Sequence, residues 1–154
     1  MESSIQALVE ALLHRLEGAY AKATLRAYRA DFMTFVRFCE VKGWTPLPGS
    51  PNAVAEFVVW LSASGLRSSS IRRAVAGIAT LHNLSHLADP TKDPEVKLAM
   101  RRMHRLLGRA SRQAQALHTE ELERLLAATD DSIRGLRNRA LLLVGYDTLC
   151  RRSE

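Results

Sequence analysis

Apolar residues recur every three or four positions along nearly the whole of this 154-residue chain, and no stretch alternates β-branched with polar residues. That spacing lines one face of an α-helix and leaves no candidate strand, so the chain is expected to be all-α. Ile5, Leu8, Val9, Leu12, Leu13 and Leu16 form a first stripe, with Ser3 and Ser4 as candidate N-caps and Gly18 at its end. Leu25, Tyr28, Phe32, Phe35, Val36 and Cys39 form a second, closed by Gly43. Ser50 followed by Pro51 is a cap with a proline at the first helical position, ahead of Val54, Phe57, Val58 and Leu61. The serine run 68–70 reads as the cap of a fourth helix with Ile71, Val75, Ile78 and Leu81 inward. Asp93 and Pro94 start a fifth, on Val96, Met100, Met103 and Leu107, where the methionines read as core filler.

These five helices are expected to form one bundle over residues 1–107. Residues 108–118 lack an apolar face and read as a linker, and a second unit follows over 119–154. There Thr119 is the expected N-cap, Leu122, Leu125 and Leu126 pack one short helix, and Leu136, Ala140, Leu143 and Val144 pack another.

Hydrophobic residues make up 47% of the chain and charged residues 25%, enough apolar side chain for a core and too much for intrinsic disorder. No apolar run reaches the length of about 20 residues that spans a membrane, and no secretory signal is evident, so a cytoplasmic protein with no membrane partner is expected. Cys39 and Cys150 lie far apart with no CxxC spacing and are expected to be buried thiols. The histidines show no metal-binding spacing and read as surface or loop residues. Neither a phosphate-cradling glycine motif nor a small-molecule site appears, and no cofactor is expected. Trp44 and Trp60 read as packing anchors.

With 22 Lys plus Arg against 16 Asp plus Glu, the net charge is +6, which favours a polyanionic partner, nucleic acid before acidic membrane. The distribution says more than the total. Lys97, Arg101, Arg102, Arg105, Arg109 and Arg112 follow one another with no acidic residue between them, whereas 120–131 is acid-rich. Solvated helix faces normally mix signs, so the basic segment is expected to follow a phosphate backbone. Arg72 and Arg73 near the start of the fourth helix, and Lys22, Arg26 and Arg29 on the second, are placed to enter a groove and read base edges.

Three strings carry a family resemblance: TLRAYRADFMTFVRFCEVKGW, GLRSSSIRRAVAGIATLH and LRNRALLLVGYDTLCRRSE. Over about residues 19–154 they resemble the tyrosine site-specific recombinases and phage integrases. The resemblance implies a SAM-like helical core-binding domain that forms half of a C-shaped clamp on duplex DNA, followed by the first helices of a catalytic domain. The string TLCRRSE resembles the family's TGLRxxE, which places Arg151 on the first arginine that holds the scissile phosphate; Leu149 and Cys150 replace the usual Gly-Leu pair. A planar guanidinium suits that role because it donates two hydrogen bonds to non-bridging oxygens. The resemblance also implies metal-free chemistry through a 3′-phosphotyrosyl link, and a homo-oligomer on DNA, a tetramer in the family, with the first and fifth helices as candidate contacts.

The family's tyrosine nucleophile, its lysine and its His-x-x-Arg motif all follow the first arginine, and none occurs after Arg151 here. The chain alone is therefore expected not to cut DNA, and reads as a truncated product or a piece of a longer recombinase. Two other readings stay open: a non-enzymatic DNA-binding regulator, and a helical protein-interaction domain whose basic face meets an acidic partner.

Overall fold

The computed structural model describes residues 2–110 and 116–148, with the side chains of 2 and 3 left aside. The described residues form seven α-helices and one short 3-10 turn, with no strand among them: α1 (Glu2–His14), α2 (Lys22–Lys42), α3 (Pro51–Ala63), α4 (Ser68–Leu84), α5 (Pro94–Leu107), α6 (Thr119–Ala127) and α7 (Ile133–Thr148), the turn being Pro90–Lys92. They divide into two compact units near residue 111, α1–α5 and α6–α7.

In the first unit α3 packs along α5, α2 packs along α4, and α1 lies against both α2 and α4. The core follows the apolar spacing closely. Val9, Leu12 and Leu13, Phe32, Phe35, Val36 and Cys39, Val54, Phe57, Val58 and Leu61, Ile71, Val75, Ile78 and Leu81, and Val96 and Met103 are all buried. Leu8, placed in the first stripe, instead stands 46% exposed, because the inward face of α1 is the narrower one of Val9, Leu12 and Leu13. Phe38 joins the core unforeseen, its ring 5.3 Å from Phe57 and 5.5 Å from Trp60. Burial pushes the Cys39 thiol up to about 12, with Glu40 adding to the effect, which leaves it protonated and inert at neutral pH. Cys150 lies outside the described residues.

Local signals set most helix ends. Ser50 accepts from the Ala53 amide at 3.1 Å with Pro51 at the first helical position, and Asp93 accepts from Glu95 N at 2.8 Å ahead of Pro94. Gly43 closes α2 at φ +70, a left-handed conformation that costs a glycine little. The serines behave differently. α1 already runs from Glu2, so Ser3 and Ser4 lie inside it, and α4 takes Arg67 as its N-cap, which puts Ser68 in the first turn and buries it. Ser68 Oγ lies 3.2 Å from His104 Nδ1. Tertiary contact has claimed the hydroxyl that a cap would have used.

His82 also departs from the surface role expected of it: it is fully buried. Nδ1 lies 2.8 Å from the Ile78 carbonyl, which can only accept, so Nδ1 carries the proton; Nε2 then accepts from Gly49 N at 2.8 Å. The ring thus ties α4 to the turn that leads into α3. A second proton would set Nε2–H against Gly49 N–H, and burial above all holds the imidazole below its ordinary value, despite the Ile78 hydrogen bond and Asp89. The unfolded chain therefore takes up a proton near pH 6.5 that the folded chain refuses, and stability falls as the pH drops below that value, by at most about 1.4 kcal/mol per pH unit. Urea unfolding at several pH values is expected to show this extra slope in the parent chain and to lack it in His82→Gln.

In the second unit α6 starts at Thr119 with His118 as its N-cap, one residue earlier than expected, and the Glu121 carboxylate accepts from His118 N at 3.1 Å. Leu122 is buried. The inward face of α7 is not the expected one. Leu136, Leu143 and Val144 stand 54%, 49% and 59% exposed and Ala140 is exposed, whereas Gly135, Asn138, Arg139, Leu142 and Tyr146 are buried or half-buried. Polar anchors decide this rotation. Arg139 donates to Thr129 Oγ1 at 2.6 Å, to the Thr129 carbonyl at 2.7 Å and to Asp131 at 3.0 Å, and the Tyr146 and Thr119 hydroxyls lie 3.0 Å apart. Gly135 sits where any Cβ would meet the Asp130 backbone.

Candidate nucleic-acid interface

Helical spacing mounts the cations. On α5, Val96, Ala99 and Met103 point into the core, so Lys97, Arg101, Arg102 and Arg105 share the opposite, exposed face. Arg101, Arg102, His104, Arg105 and Arg109 line one open depression of about 550 Å³ together with Leu98. From α4, Arg72 comes close enough that its charge acts on His104, as does that of Arg109. Arg112, the last member of the basic segment, lies outside the described residues, as does Arg151.

The candidates on α2 and α4 divide by whether the fold already employs them. Arg73 is bound to Asp31 of α2 in a two-pronged pair, Nε to Oδ2 at 2.7 Å and Nη2 to Oδ1 at 3.1 Å. Arg29 is ion-paired with Glu10 of α1. Both arginines thereby clamp neighbouring helices, an exposed type of pair worth about 0–1 kcal/mol. Lys22 and Arg26 are exposed and line, with Arg29, a wider groove of about 1040 Å³ between α1 and the start of α2, into which Glu10, His14 and Glu17 also face. Lys22, Arg26, Arg72, Lys97, Arg101, Arg102, Arg105 and Arg109 make no hydrogen bond or ion pair among the described residues.

Sequence spacing alone did not single out His104 or Ser68. His104 stands in the middle of the basic segment, and its neighbours hold it below its ordinary value: lost water first, then the like charges of Arg109 and Arg72, against a Gly108 backbone hydrogen bond. Its spacing of three from Arg101 was legible; its bond to Ser68 across two helices was not. Among the described residues, no group of three or more His, Cys, Asp or Glu is positioned to hold a metal ion, and no helix is long and apolar enough to cross a membrane.

A compact all-α unit with a one-signed basic helix face defines the class, and comparison with known proteins supplies the family. Residues 5–88 match the model of the phage integrase N-terminal SAM-like domain. The chain is 33% identical over 144 residues to an integrase/recombinase XerD homolog of Selenomonas ruminantium, an alignment that covers 91% of this chain and 42% of that protein. It is 26% identical over 147 residues to the recombinase Cre of Escherichia phage P1, covering 92% of this chain and 43% of that one. The chain belongs to the phage integrase and tyrosine recombinase family. It spans less than half the length of these two relatives.

Proposed function

We propose that the chain grips double-stranded DNA as part of a site-specific tyrosine recombinase, its first unit serving as the core-binding domain and its second as the opening of the catalytic domain, with a linker between. The observation that carries this reading is the exposed face of α5, whose arginines lack any internal partner among the described residues and gather with Arg109 around one depression, while the charge of Arg72 on α4 acts on His104 in its lining. Such a surface gains free energy by displacing counterions from a phosphate backbone. Lys97, Arg101, Arg102, Arg105 and Arg109, continued by Arg112, take phosphates and set the register; Arg72, with Lys22 and Arg26 on α2, reaches for base edges. Arg29 and Arg73 must first leave Glu10 and Asp31 to do the same. Arg151 takes the role of holding the scissile phosphate through two hydrogen bonds. Leu8 on α1 and Leu106 on α5, 46% and 71% exposed, suit contacts between protomers on neighbouring sites.

A footprint on a pool of random duplexes, followed by a salt titration of the selected site, tests the reading: protection of a defined site and a steep fall of affinity with salt are expected. No duplex binding even at low salt would leave the basic face to an acidic protein partner. The pairing pattern sharpens this further. Arg72→Ala is expected to relax base discrimination by about 1–3 kcal/mol. Arg73→Ala should mainly cost up to about 1 kcal/mol of stability through the broken pair with Asp31. Competition between duplexes measures the first and urea unfolding the second; unchanged selectivity in Arg72→Ala removes that residue from base reading.

A further inference from the structure

We infer that Ser68, Arg72, His104 and Arg109 form a phosphodiester site in which His104 takes up a proton as DNA binds, so that duplex affinity is coupled to pH. The inference rests on the DNA-binding reading above and adds to it a regulator. Ser68 is 6% exposed, and its hydroxyl lies 3.2 Å from Nδ1 of the ring, which orients the imidazole at the rim of the basic depression. The charges of Arg72 on α4 and of Arg109 beyond the end of α5 act on the ring, and Arg101, Arg105 and Arg109 line the same depression as His104.

In the free chain this is a cluster of like charges, and a neutral imidazole is the cheaper state, in line with the downward direction of its titration. A phosphate oxygen brought among these guanidinium groups reverses the local sign. Opposite charge within a few ångströms favours the imidazolium, so binding and protonation reinforce each other. No carboxylate among the described residues intervenes to provide that compensation in advance. On α3, which packs along α5, the titratable Glu56 is 3.2 Å from Lys42, and Asp89 and Lys92 near the 3-10 turn lie 3.9 Å from each other. Two of the other histidines are placed differently: His82 has both ring nitrogens engaged in the core, and His14 lies 3.1 Å from Glu17.

The test measures binding of the full chain to a duplex of arbitrary sequence at low ionic strength, by fluorescence anisotropy from about pH 8 to about pH 5.5, with proton uptake from calorimetry in buffers of differing ionisation enthalpy. Affinity is expected to rise as the pH falls, by up to about tenfold per pH unit for one coupled proton, with matching proton uptake. His104→Gln should bind with a flat profile at the weaker level, and His104→Lys, with a permanent charge, with a flat profile at the tighter level. Circular dichroism confirms that each variant is folded. Duplex binding with the same pH slope in the parent and His104→Gln, or a His104→Lys variant no tighter than the parent at about pH 8, overturns the inference while leaving the DNA-binding reading intact. Absence of duplex binding at every pH overturns both.

Discussion

Replacing Arg101, Arg102 and Arg105 together by alanine is expected to remove about 2.7 units from the slope of log affinity against log salt, at about 0.9 unit for each phosphate that is no longer neutralised. These side chains are exposed, unpaired among the described residues, and stand on the face of α5 opposite Val96, Ala99 and Met103. Their removal leaves the core untouched, so stability should change by no more than about 0.5 kcal/mol per site. Between about 50 and about 200 mM salt the parent chain should then weaken about 40-fold more than the variant. Because phosphates carry no direct sequence information, all duplexes should be affected alike. Filter binding of several duplexes across a salt series measures both quantities. A loss confined to one sequence would mean that these arginines read bases, and an unaltered slope would move the interface away from α5.

The largest effect on stability is expected from Phe57→Ala, at about 3–5 kcal/mol. Phe57 is wholly buried near the middle of α3, and its ring lies 5.1 Å from Phe35, 5.3 Å from Phe38 and 5.9 Å from Trp60, the last nearly parallel at 19°. Truncation removes the apolar transfer energy, opens a cavity and deprives three neighbouring rings of their partner. For a domain stabilised by about 5–15 kcal/mol in total, that is a large share. Since α3 is the helix on which α5 rests, the same change should loosen the seat of the basic face and lower duplex affinity. Phe57→Leu keeps most of the volume and should cost markedly less. Urea unfolding monitored by circular dichroism decides; a loss below about 2 kcal/mol for the alanine variant would show that α1–α5 close over the gap.

The departures from local expectation share one physical origin. The serine run at 68–70 has cap chemistry, but the first helical turn formed one residue earlier because Ser68 found His104. The exposed leucines and valine of α7 have the right spacing for a core face, but the hydrogen bonds of Arg139 to Thr129 and Asp131 turn the helix another way. His82 continues the spacing of Ile71, Val75 and Ile78, but the amide that satisfies its second ring nitrogen, Gly49 N, lies 33 positions earlier. Each depends on a contact with a residue outside the helix in question, from 8 positions away for Asp131 and Arg139 to 36 for Ser68 and His104, and the apolar spacing of one helix cannot register such contacts.

The all-helical class, the inward faces of α2 to α5, the capped starts of α3 and α5, and the family were determined by the order of residues alone, because helix period, capping and motif spacing act over a single turn or a short string. Which arginines are free was decided only by the tertiary structure. Arg72 and Arg73 are neighbours of identical chemistry, yet the packing of α4 on α2 sets Asp31 before one of them and leaves the other without a partner among the described residues, its charge acting on His104. A cation's availability depends on where the carboxylates come to lie, and that is settled by how the helices pack.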